Sequence, residues 1–275
     1  MPELPEVETI VRELNASHLI GLKIEEVNVF WERSIADPKA EEFASKLIHE
    51  KVLKISRRGK FIVFTLSHYT LLLHLRMTGK LSFSNDTKLR SSHERVQLKF
   101  NNGMVLHYED QRKFGKWYLL EHPEAKLGSL GLEPLSKEFS LPTFKDILKK
   151  SSQQIKPFLL DQSHLVGLGN IYADEALWLA KIHPMRKVDS LSPSEIEALY
   201  HSIPEVLEQG IKHMGTSLGS KQANYFSVSG RRGGNQTQLK VFRREGLLCP
   251  RCQTLLIKIT VAQRGTHLCP NCQKV

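Results

Sequence analysis

The chain begins Met1-Pro2-Glu3-Leu4-Pro5-Glu6-Val7-Glu8-Thr9-Ile10-Val11-Arg12-Glu13, and this stretch decides how the rest is interpreted. Its apolar residues recur at intervals of three and four, which predicts a helix with one buried face. Prolines in a first turn, with acidic side chains beside them, are typical of a helix start. The pattern alone therefore predicts an ordinary N-terminal helix.

Pro2 gives the same stretch a second, chemical interpretation. Met1 precedes a small residue and is normally removed, so we expect the mature chain to begin with the secondary amine of Pro2. An α-amino group has a pKa of about 8, so a useful fraction is neutral near physiological pH and can form a Schiff base. Glu3 and Glu6 lie near one face of the predicted helix, close to this amine. They could supply the acid and the base that opening a sugar ring requires.

The composition favours a polyanionic partner. The chain has 275 residues, enough for two domains, and a formal net charge of +10. This balance suits nucleic acid, although a solvated charged exterior has the same composition. No apolar run approaches the roughly 18–20 residues that cross a bilayer, and the acidic N-terminus is unlike a signal peptide. We expect a cytoplasmic protein with no membrane partner.

The first half of the chain has the pattern of a β-rich domain. Short apolar runs follow one another at regular spacing, which predicts a sandwich or a barrel. The turn Asn101-Asn102-Gly103 between two of these runs is a strong hairpin signal. A short helix is predicted over residues 41–48. Strands are predicted over residues 23–31, 52–56, 61–66, 70–75, 80–83, 96–100, 104–108 and 117–120.

The pattern changes from strand-like to helical after residue 130. Residues 131–142 contain glycine, proline and serine and predict a linker. A segment rich in glycine and serine follows at residues 215–236, which is typical of a mobile surface loop. Helices are predicted over residues 144–150, 154–160, 171–180 and 193–209. The predicted domains are residues 1–130, 143–238 and 239–275.

All four cysteines lie near the end of the chain, in Cys249-Pro250-Arg251-Cys252 and Cys269-Pro270-Asn271-Cys272. Each motif places two thiolates on one turn, and two such turns complete a tetrahedron with no open position. We therefore predict one structural zinc ion, with a redox dithiol as the alternative. The predicted zinc ligands are Cys249, Cys252, Cys269 and Cys272. Between the two motifs we predict a hairpin whose turn contains Gln263-Arg264-Gly265.

Several of these segments resemble one family. Pro2-Glu3-Leu4-Pro5-Glu6-Val7-Glu8-Thr9 is similar to the N-terminal signature of the bacterial formamidopyrimidine-DNA glycosylases, the relatives of endonuclease VIII. The string from Asp161 to Glu175, which includes Gly167-Leu168-Gly169-Asn170, resembles their helix-two-turn-helix. The resemblance implies an α+β multidomain protein. It would combine an N-terminal helix plus β-sandwich domain with a C-terminal helical helix-two-turn-helix domain that carries a β-hairpin four-cysteine zinc finger.

The resemblance also implies an activity, that of a bifunctional DNA glycosylase and abasic-site lyase of base excision repair. Such an enzyme would excise oxidised purines, such as 8-oxoguanine and formamidopyrimidines, from duplex DNA, as a monomer associated with the bacterial nucleoid. The catalytic residues of the family match Pro2, Glu3, Glu6 and, within Arg57-Arg58-Gly59-Lys60, Lys60. Pro2 would form the Schiff base, and Lys60 would contact the phosphate beside the lesion.

Further positions match the DNA contacts of this family. An extruded base leaves a space that must be filled, because unstacking has an energetic cost. Met77, Arg112 and Phe114 match the side chains that fill this space, whereas without the family context Met77 and Phe114 would be ordinary core residues. The matched phosphate contacts are His74, Asn170 and Arg264.

The chain departs from the usual form of the family in three places. Met214-Gly215-Thr216-Ser217 replaces G-G-[ST]-[ST] ahead of the loop that, in the family, closes over the extruded base and sets lesion choice. Val241-Phe242-Arg243-Arg244 replaces V-Y-G-[RK], and Asp110-Gln111-Arg112 replaces D-P-R. These differences leave two alternatives open. One is a paralogue that binds lesions or abasic sites with altered specificity or weak turnover. The other is an endonuclease VIII-like preference for oxidised pyrimidines, which Leu4-Pro5-Glu6-Val7 disfavours.

Overall fold

The computed structural model describes residues 1–88, 91–219 and 225–275, which form two compact units. The first unit comprises Met1–Gly128 and His213–Gln236, and the second comprises Ser129–Lys212 and Thr237–Val275. The structure thus groups most of the predicted loop 215–236 with the N-terminal part of the chain, whereas we placed it inside the domain 143–238. Residues 220–224 of that loop lie outside the described residues. The predicted domain boundaries themselves remain predictions.

The N-terminal stretch forms α1, Leu4–Ala16, as its apolar periodicity predicted. Glu3 precedes the helix and forms a capping box with Glu6, so that each side chain accepts a hydrogen bond from the backbone of the other. Pro5 occupies the first turn, where its missing N–H leaves no helical hydrogen bond unmade. One face of α1 is buried, which fixes the helix on the sheets below it.

Two sheets make up most of the first unit. A four-stranded antiparallel sheet has the order β1-β7-β8-β6, and a five-stranded sheet has the order β2-β9-β5-β4-β3, in which β2 and β9 run parallel. The strands are β1 Ile24–Val29, β2 Ile35–Asp37, β3 Val52–Arg58, β4 Phe61–Leu66, β5 Thr70–His74, β6 Gly79–Ser84, β7 Glu94–Phe100, β8 Val105–Asp110 and β9 Lys116–Leu120. Two short helices complete the unit, α2 Ala40–Leu47 and α3 Glu124–Leu127.

The hydrophobic core of this unit lies between the two sheets and beneath α1, which confirms the predicted sandwich. Each predicted strand has a counterpart in the structure, whereas the short strand β2 was not predicted. The predicted turn Asn101-Asn102-Gly103 joins β7 and β8, and Gly103 adopts the left-handed conformation that such a turn needs (φ 85°). The core includes Val7, Ile10 and Leu14 of α1, Ile62, Phe64, Leu71 and Leu73 of one sheet, and Val96, Leu98, Phe100 and Leu106 of the other.

The second unit is helical, as predicted, with a terminal hairpin. Its helices are α4 Leu141–Leu148, α5 Ile155–Leu160, α6 Asn170–Leu179 and α7 Pro193–Lys212. The hydroxyl of Ser140 caps α4 by accepting from the Thr143 N–H. Among the described residues, no helix combines the length and apolar character needed to cross a membrane.

The hairpin consists of β10, Ile257–Val261, and β11, Arg264–Leu268. Its two-residue turn is Ala262-Gln263, because Val261 pairs directly with Arg264. We predicted Arg264 within the turn, but it is the first residue of β11. The difference arises because Ala262 and Gln263 both adopt left-handed backbone conformations (φ 46° and 60°), which close the tight turn favoured by twisted hairpins.

Candidate functional site

The N-terminus of α1 brings together the first three predicted catalytic residues. Pro2 is buried, and Glu3 and Glu6 are only 3% and 1% exposed. The Glu3 N–H donates to Oε2 of Glu6 at 2.7 Å. Oε1 of Glu6 accepts from the Thr216 N–H, also at 2.7 Å. The Glu6 carboxylate is therefore held at both oxygens, directly beside the residue that would become the N-terminus.

Gly215 allows this close approach between the segment 213–236 and Glu6. Its φ of 81° lies in the left-handed region, and a Cβ there would lie 2.8 Å from Cγ and 2.9 Å from Oε1 of Glu6. Side chains rarely tolerate either condition. The backbone at Gly215 thus lies against the Glu6 carboxylate because no side chain stands between them.

Lys60 and His74 lie close to each other at one edge of strands β4 and β5 of the five-stranded sheet. Lys60 follows Gly59 in the turn between β3 and β4, and His74 ends β5 opposite Phe61. Both side chains are buried, at 6% and 8% exposure. Burial, and then the positive charges of Arg76 and Lys60, lower the pKa of His74 to about 3.

The protonation state of His74 follows from this environment. The ring is neutral at pH 7 because its pKa lies far below that value. Its Nδ1 accepts a hydrogen bond from the Arg76 N–H at 3.0 Å, so the ring proton resides on Nε2. His74 can therefore donate a hydrogen bond to an anion without carrying a charge.

Met77, Arg112 and Phe114 come together at the surface although they are distant in sequence. The Arg112 guanidinium contacts the Met77 sulfur, with Nη1 and Sδ 3.0 Å apart. It also lies over the Phe114 ring, 4.8 Å from the centroid. Met77 and Phe114 are 39% and 48% exposed, which excludes the core role that each would have by default. The result is an exposed cluster of two apolar side chains around one cation.

A buried carboxylate fixes the loop that presents Arg112 and Phe114. Asp110 is fully buried, and its Oδ2 accepts from the Gly115 N–H at 2.7 Å. Its Oδ1 accepts from the Thr78 hydroxyl and from the Arg112 N–H, at 2.5 Å and 3.2 Å. Asp110 thereby ties together the two loops that carry the exposed cluster.

In the second unit, Asn170 lies at the first position of α6, next to the hairpin. Its side-chain amide donates to the Gly265 carbonyl at 2.8 Å, while its buried Oδ1 has no hydrogen-bond partner among the described residues. Lys156 is fully buried, and its ammonium donates to Asp174 at 2.6 Å and to the Thr266 hydroxyl at 2.8 Å. The hairpin is therefore anchored to α5 and α6, and exposed Arg264 lies beside Gly265.

Glu175 holds residues 240–242 in place, a role that no sequence pattern predicted. Its carboxylate accepts from the backbone N–H groups of Lys240, Val241 and Phe242 at 2.8–2.9 Å. Burial raises the pKa of Glu175 and outweighs these three hydrogen bonds, which act in the opposite direction. The available signal was the pair Asp174-Glu175 on an otherwise apolar helix, since buried acids need specific partners.

The four predicted zinc ligands converge on one point. All four sulfur atoms lie within 4.8 Å of one another. Cys252 Sγ is 3.4 Å from the sulfur atoms of Cys269 and Cys272, and Cys249 Sγ is 4.0 Å from that of Cys272. Four thiolates about 2.3 Å from a tetrahedral zinc ion would be about 3.8 Å apart. The donor set thus fits one zinc ion with no open position, and a redox dithiol would not require all four sulfur atoms to meet.

Three family models match the chain in sequence order. Residues 1–117 match the formamidopyrimidine-DNA glycosylase N-terminal domain, and residues 130–222 match the formamidopyrimidine-DNA glycosylase H2TH domain. Residues 246–275 match the zinc finger found in FPG and IleRS. The last match and the sulfur geometry confirm the prediction of one structural zinc ion.

Similar proteins and structures extend over the whole chain. The formamidopyrimidine-DNA glycosylase of Protochlamydia amoebophila is 46% identical, with 100% of both chains covered, and that of Enterococcus faecalis is 43% identical, with 100% of this chain and 98% of the relative covered. A Lactococcus lactis Fpg variant in complex with Fapy-dG-containing DNA has a TM-score of 0.91 at 38% identity, with 100% of both chains covered. The Lactococcus lactis Fpg in complex with abasic-site DNA has a TM-score of 0.90 at 38% identity, covering 99% of this chain and 100% of that one. The chain therefore belongs to the formamidopyrimidine-DNA glycosylase family, the DNA glycosylases of base excision repair.

Proposed function

We propose that this protein excises oxidised purines, such as 8-oxoguanine and formamidopyrimidines, from duplex DNA and then cleaves the resulting abasic site. The observation that carries the proposal is the buried pair Glu3 and Glu6 at the start of α1, beside Pro2. Burial of two acids next to a prospective secondary amine suits proton transfer and nucleophilic attack at one carbon. We further propose that the protein acts as a monomer on the nucleoid in the bacterial cytoplasm.

The reaction begins with the Pro2 nitrogen, once Met1 has been removed. That nitrogen forms a bond to C1′ of the nucleotide and passes its proton to Glu3, while the glycosidic bond breaks and the damaged base leaves with the bonding electrons. Glu3 delivers a proton to the sugar-ring oxygen as the ring opens, and the nitrogen and C1′ then form an iminium ion. Glu6, held by the N–H groups of Glu3 and Thr216, orients Glu3 and relays protons.

Strand cleavage follows from the iminium ion, which accepts electrons. Loss of a proton from C2′ allows the 3′ phosphate to leave, and a second elimination releases the 5′ phosphate. Water then adds to the iminium carbon, and hydrolysis releases the sugar remnant as an aldehyde and restores the Pro2 amine. Lys60 and neutral His74 hold phosphate near this chemistry, one through a positive charge and the other through its Nε2–H. No nucleotide or catalytic metal enters these steps.

The remaining site residues bind the duplex. We propose that Met77 and Phe114 fill the space left by the extruded base and that Arg112 hydrogen-bonds to the orphaned partner base. The exposed contacts among these three side chains support this role, since an apolar wedge next to a cation suits an opened base stack. Asn170 and Arg264 would contact phosphates, Asn170 from a helix N-terminus, where anions are favoured. The zinc ion would keep the Arg264 hairpin folded.

The test is a trapping assay on purified protein whose N-terminus has been confirmed as Pro2 by mass spectrometry. The protein is incubated with an 8-oxoguanine:cytosine duplex or an abasic duplex, with and without borohydride. Pro2→Gly is compared with Pro142→Ala, which removes a proline from the first turn of α4 in the second unit. We expect trapping and δ-elimination on both duplexes, strongly reduced only in Pro2→Gly.

Other outcomes would redirect the proposal. Cleavage of the abasic duplex alone would retain the lyase chemistry and assign another base as substrate, with oxidised pyrimidines tested next. Tight binding to both duplexes without any product would identify a lesion-sensing paralogue. Activity without any borohydride-trapped complex would refute the Schiff-base route.

A further inference from the structure

Glu13, near the end of α1, carries an ion pair that the proposed mechanism does not use. Its carboxylate accepts from the Ser229 N–H at 2.8 Å, from the Ser229 hydroxyl at 3.0 Å and from the Arg231 guanidinium at 2.8 Å. The Glu13 side chain is only 15% exposed, whereas that of Arg231 is 61% exposed. Burial raises the pKa of Glu13, but the hydrogen bonds from Ser229 and Arg231 outweigh it and lower the pKa. Glu13 is therefore an anion at neutral pH.

The described part of the segment 213–236 is thus hydrogen-bonded to α1 at two positions. Glu6 holds the Thr216 N–H, and Glu13 holds Ser229. Glu6 and Glu13 are separated by about two helical turns, or roughly 10 Å, and therefore lie on the same face of the helix. One face of α1 consequently binds this segment at Thr216 and at Ser229.

Hydrogen bonds within the segment join residues 216–217 to residues that flank Ser229 on both sides. The Ser217 hydroxyl donates to the Tyr225 carbonyl at 2.7 Å and accepts from the Gly233 N–H at 2.9 Å. The Asn235 side chain donates to the Thr216 hydroxyl oxygen at 3.0 Å. Because these contacts are buried, we expect a displacement at Ser229 to be transmitted to Thr216.

We propose that Glu13 is a positioning residue for base excision, which holds Ser229 and Arg231 on α1 and so keeps the Thr216 N–H on the Glu6 carboxylate. An isolated surface ion pair would contribute little. Glu13 differs from such a pair because it is mostly buried, accepts three hydrogen bonds and binds the same segment that Glu6 binds. This inference rests on the proposed function of Glu6.

The claim that Glu13 keeps the Thr216 N–H on the Glu6 carboxylate is tested by hydrogen exchange on full-length Glu13→Gln. We expect the Thr216 and Ser229 amides to exchange about fivefold faster or more, which corresponds to the loss of one net hydrogen bond. Amides of β4 should be unchanged. The matched control is Glu42→Gln, which removes an exposed ion pair with Lys46 in α2 of the same unit.

The contribution of Glu13 to base excision is tested by comparing the rates of excision and of abasic-site cleavage under single-turnover conditions. In Glu13→Gln we expect the rate constant for 8-oxoguanine excision to fall about fivefold, with unchanged cleavage of an abasic duplex. Arg231→Lys should retain most of the excision rate because the charge is preserved, and Glu42→Gln should match the unmodified protein. Unaltered Thr216 exchange, unaltered excision, or an equal loss on both duplexes would each overturn the proposal. If the unmodified protein removes no 8-oxoguanine, the proposed function fails, while the exchange measurement still tests the positioning role.

Discussion

Replacement of Gly215 by alanine tests how closely the segment 213–236 must approach the Glu6 carboxylate. Gly215 has a φ of 81°, and a new Cβ would lie 2.8 Å from Cγ of Glu6, 2.9 Å from its Oε1 and 3.1 Å from the Tyr225 ring. Contacts below 3.0 Å cannot be accommodated without movement. Because Tyr225 is buried on the other side, we expect the backbone or Glu6 to shift.

The expected destabilisation has three contributions. A left-handed backbone costs an L-residue about 1–2 kcal/mol. Overpacking against Glu6 and Tyr225 adds about 1–3 kcal/mol. The unfolded chain has less conformational entropy with alanine than with glycine, which stabilises the variant by about 0.4–1 kcal/mol and offsets part of this loss. We therefore expect Gly215→Ala to lower the free energy of unfolding by about 1–5 kcal/mol, with about 3 kcal/mol as the central value.

Met214 provides the matched control, because it precedes Gly215 and is also left-handed, with a φ of 57°. Its side chain is 37% exposed, so truncation removes little packing. Met214→Gly relieves about 1–2 kcal/mol of backbone strain. The larger conformational entropy of the unfolded glycine variant costs about 0.4–1 kcal/mol, so the net gain in the free energy of unfolding is between zero and about 1.6 kcal/mol. Urea unfolding of both variants measures the two changes. Equal stability of Gly215→Ala and the unmodified protein, or destabilisation by Met214→Gly, would refute this reasoning.

Three further changes have predicted outcomes. The pKa of His74 is about 3 in the folded state and 6.5 in the unfolded state. Between these two pH values the unfolded state binds more protons, so the free energy of unfolding falls as the pH is lowered through this range. The measurement is the decrease in the free energy of unfolding between pH 7 and pH 5, obtained by urea unfolding. In His74→Gln this decrease should be smaller than in the unmodified protein by about 2 kcal/mol. Glu175→Gln should lose about 2 kcal/mol at pH 7, measured in the same way, because one of its oxygens becomes an amide nitrogen that faces backbone N–H groups. Gln263→Gly should raise the melting temperature of the zinc-loaded protein, since it removes a left-handed non-glycine residue from the hairpin turn.

Each of these variants has a contradicting result. An unchanged pH slope in His74→Gln would mean that the ring is protonated in the folded state. Full stability of Glu175→Gln would mean that water replaces the lost acceptor at residues 240–242. A lower melting temperature for Gln263→Gly would mean that its side chain contributes more than its backbone costs.

Much of the fold could be predicted because its signals are local. The apolar period of α1 predicted which face is buried, and Asn101-Asn102-Gly103 predicted a hairpin from the backbone preferences of its residues. The spacing of the cysteines likewise predicted a closed metal site. Each C-x-x-C turn supplies two thiolates, so two such turns provide all four ligands of a tetrahedral ion. The strand β2 is three residues long and pairs in parallel with distant β9, so it left no local pattern to recognise.

The contacts that organise the site are not local, and this is why sequence patterns missed them. Thr216 is far from Glu6 along the chain, and the Glu175 carboxylate satisfies backbone groups of residues 240–242. A buried acid indicates that a partner exists, but only the fold determines which donor reaches it. The grouping of residues 213–236 with the first unit has the same origin, since Glu6 and Glu13 are acids of α1 that this distant segment contacts.

The backbone conformation shows what the two non-glycine residues Met214 and Arg243 cost the chain. Both stand where the family usually has glycine, and both adopt left-handed conformations with a φ of 57°. The chain therefore keeps the backbone geometry that glycine would favour and accepts strain of about 1–2 kcal/mol at each position. A side chain at residue 215 would collide with Glu6, whereas Met214 is partly exposed and has room for its side chain. Glycine thus stands where the Glu6 carboxylate leaves no space for a side chain, whereas a side chain is present at Met214, where only backbone strain opposes it.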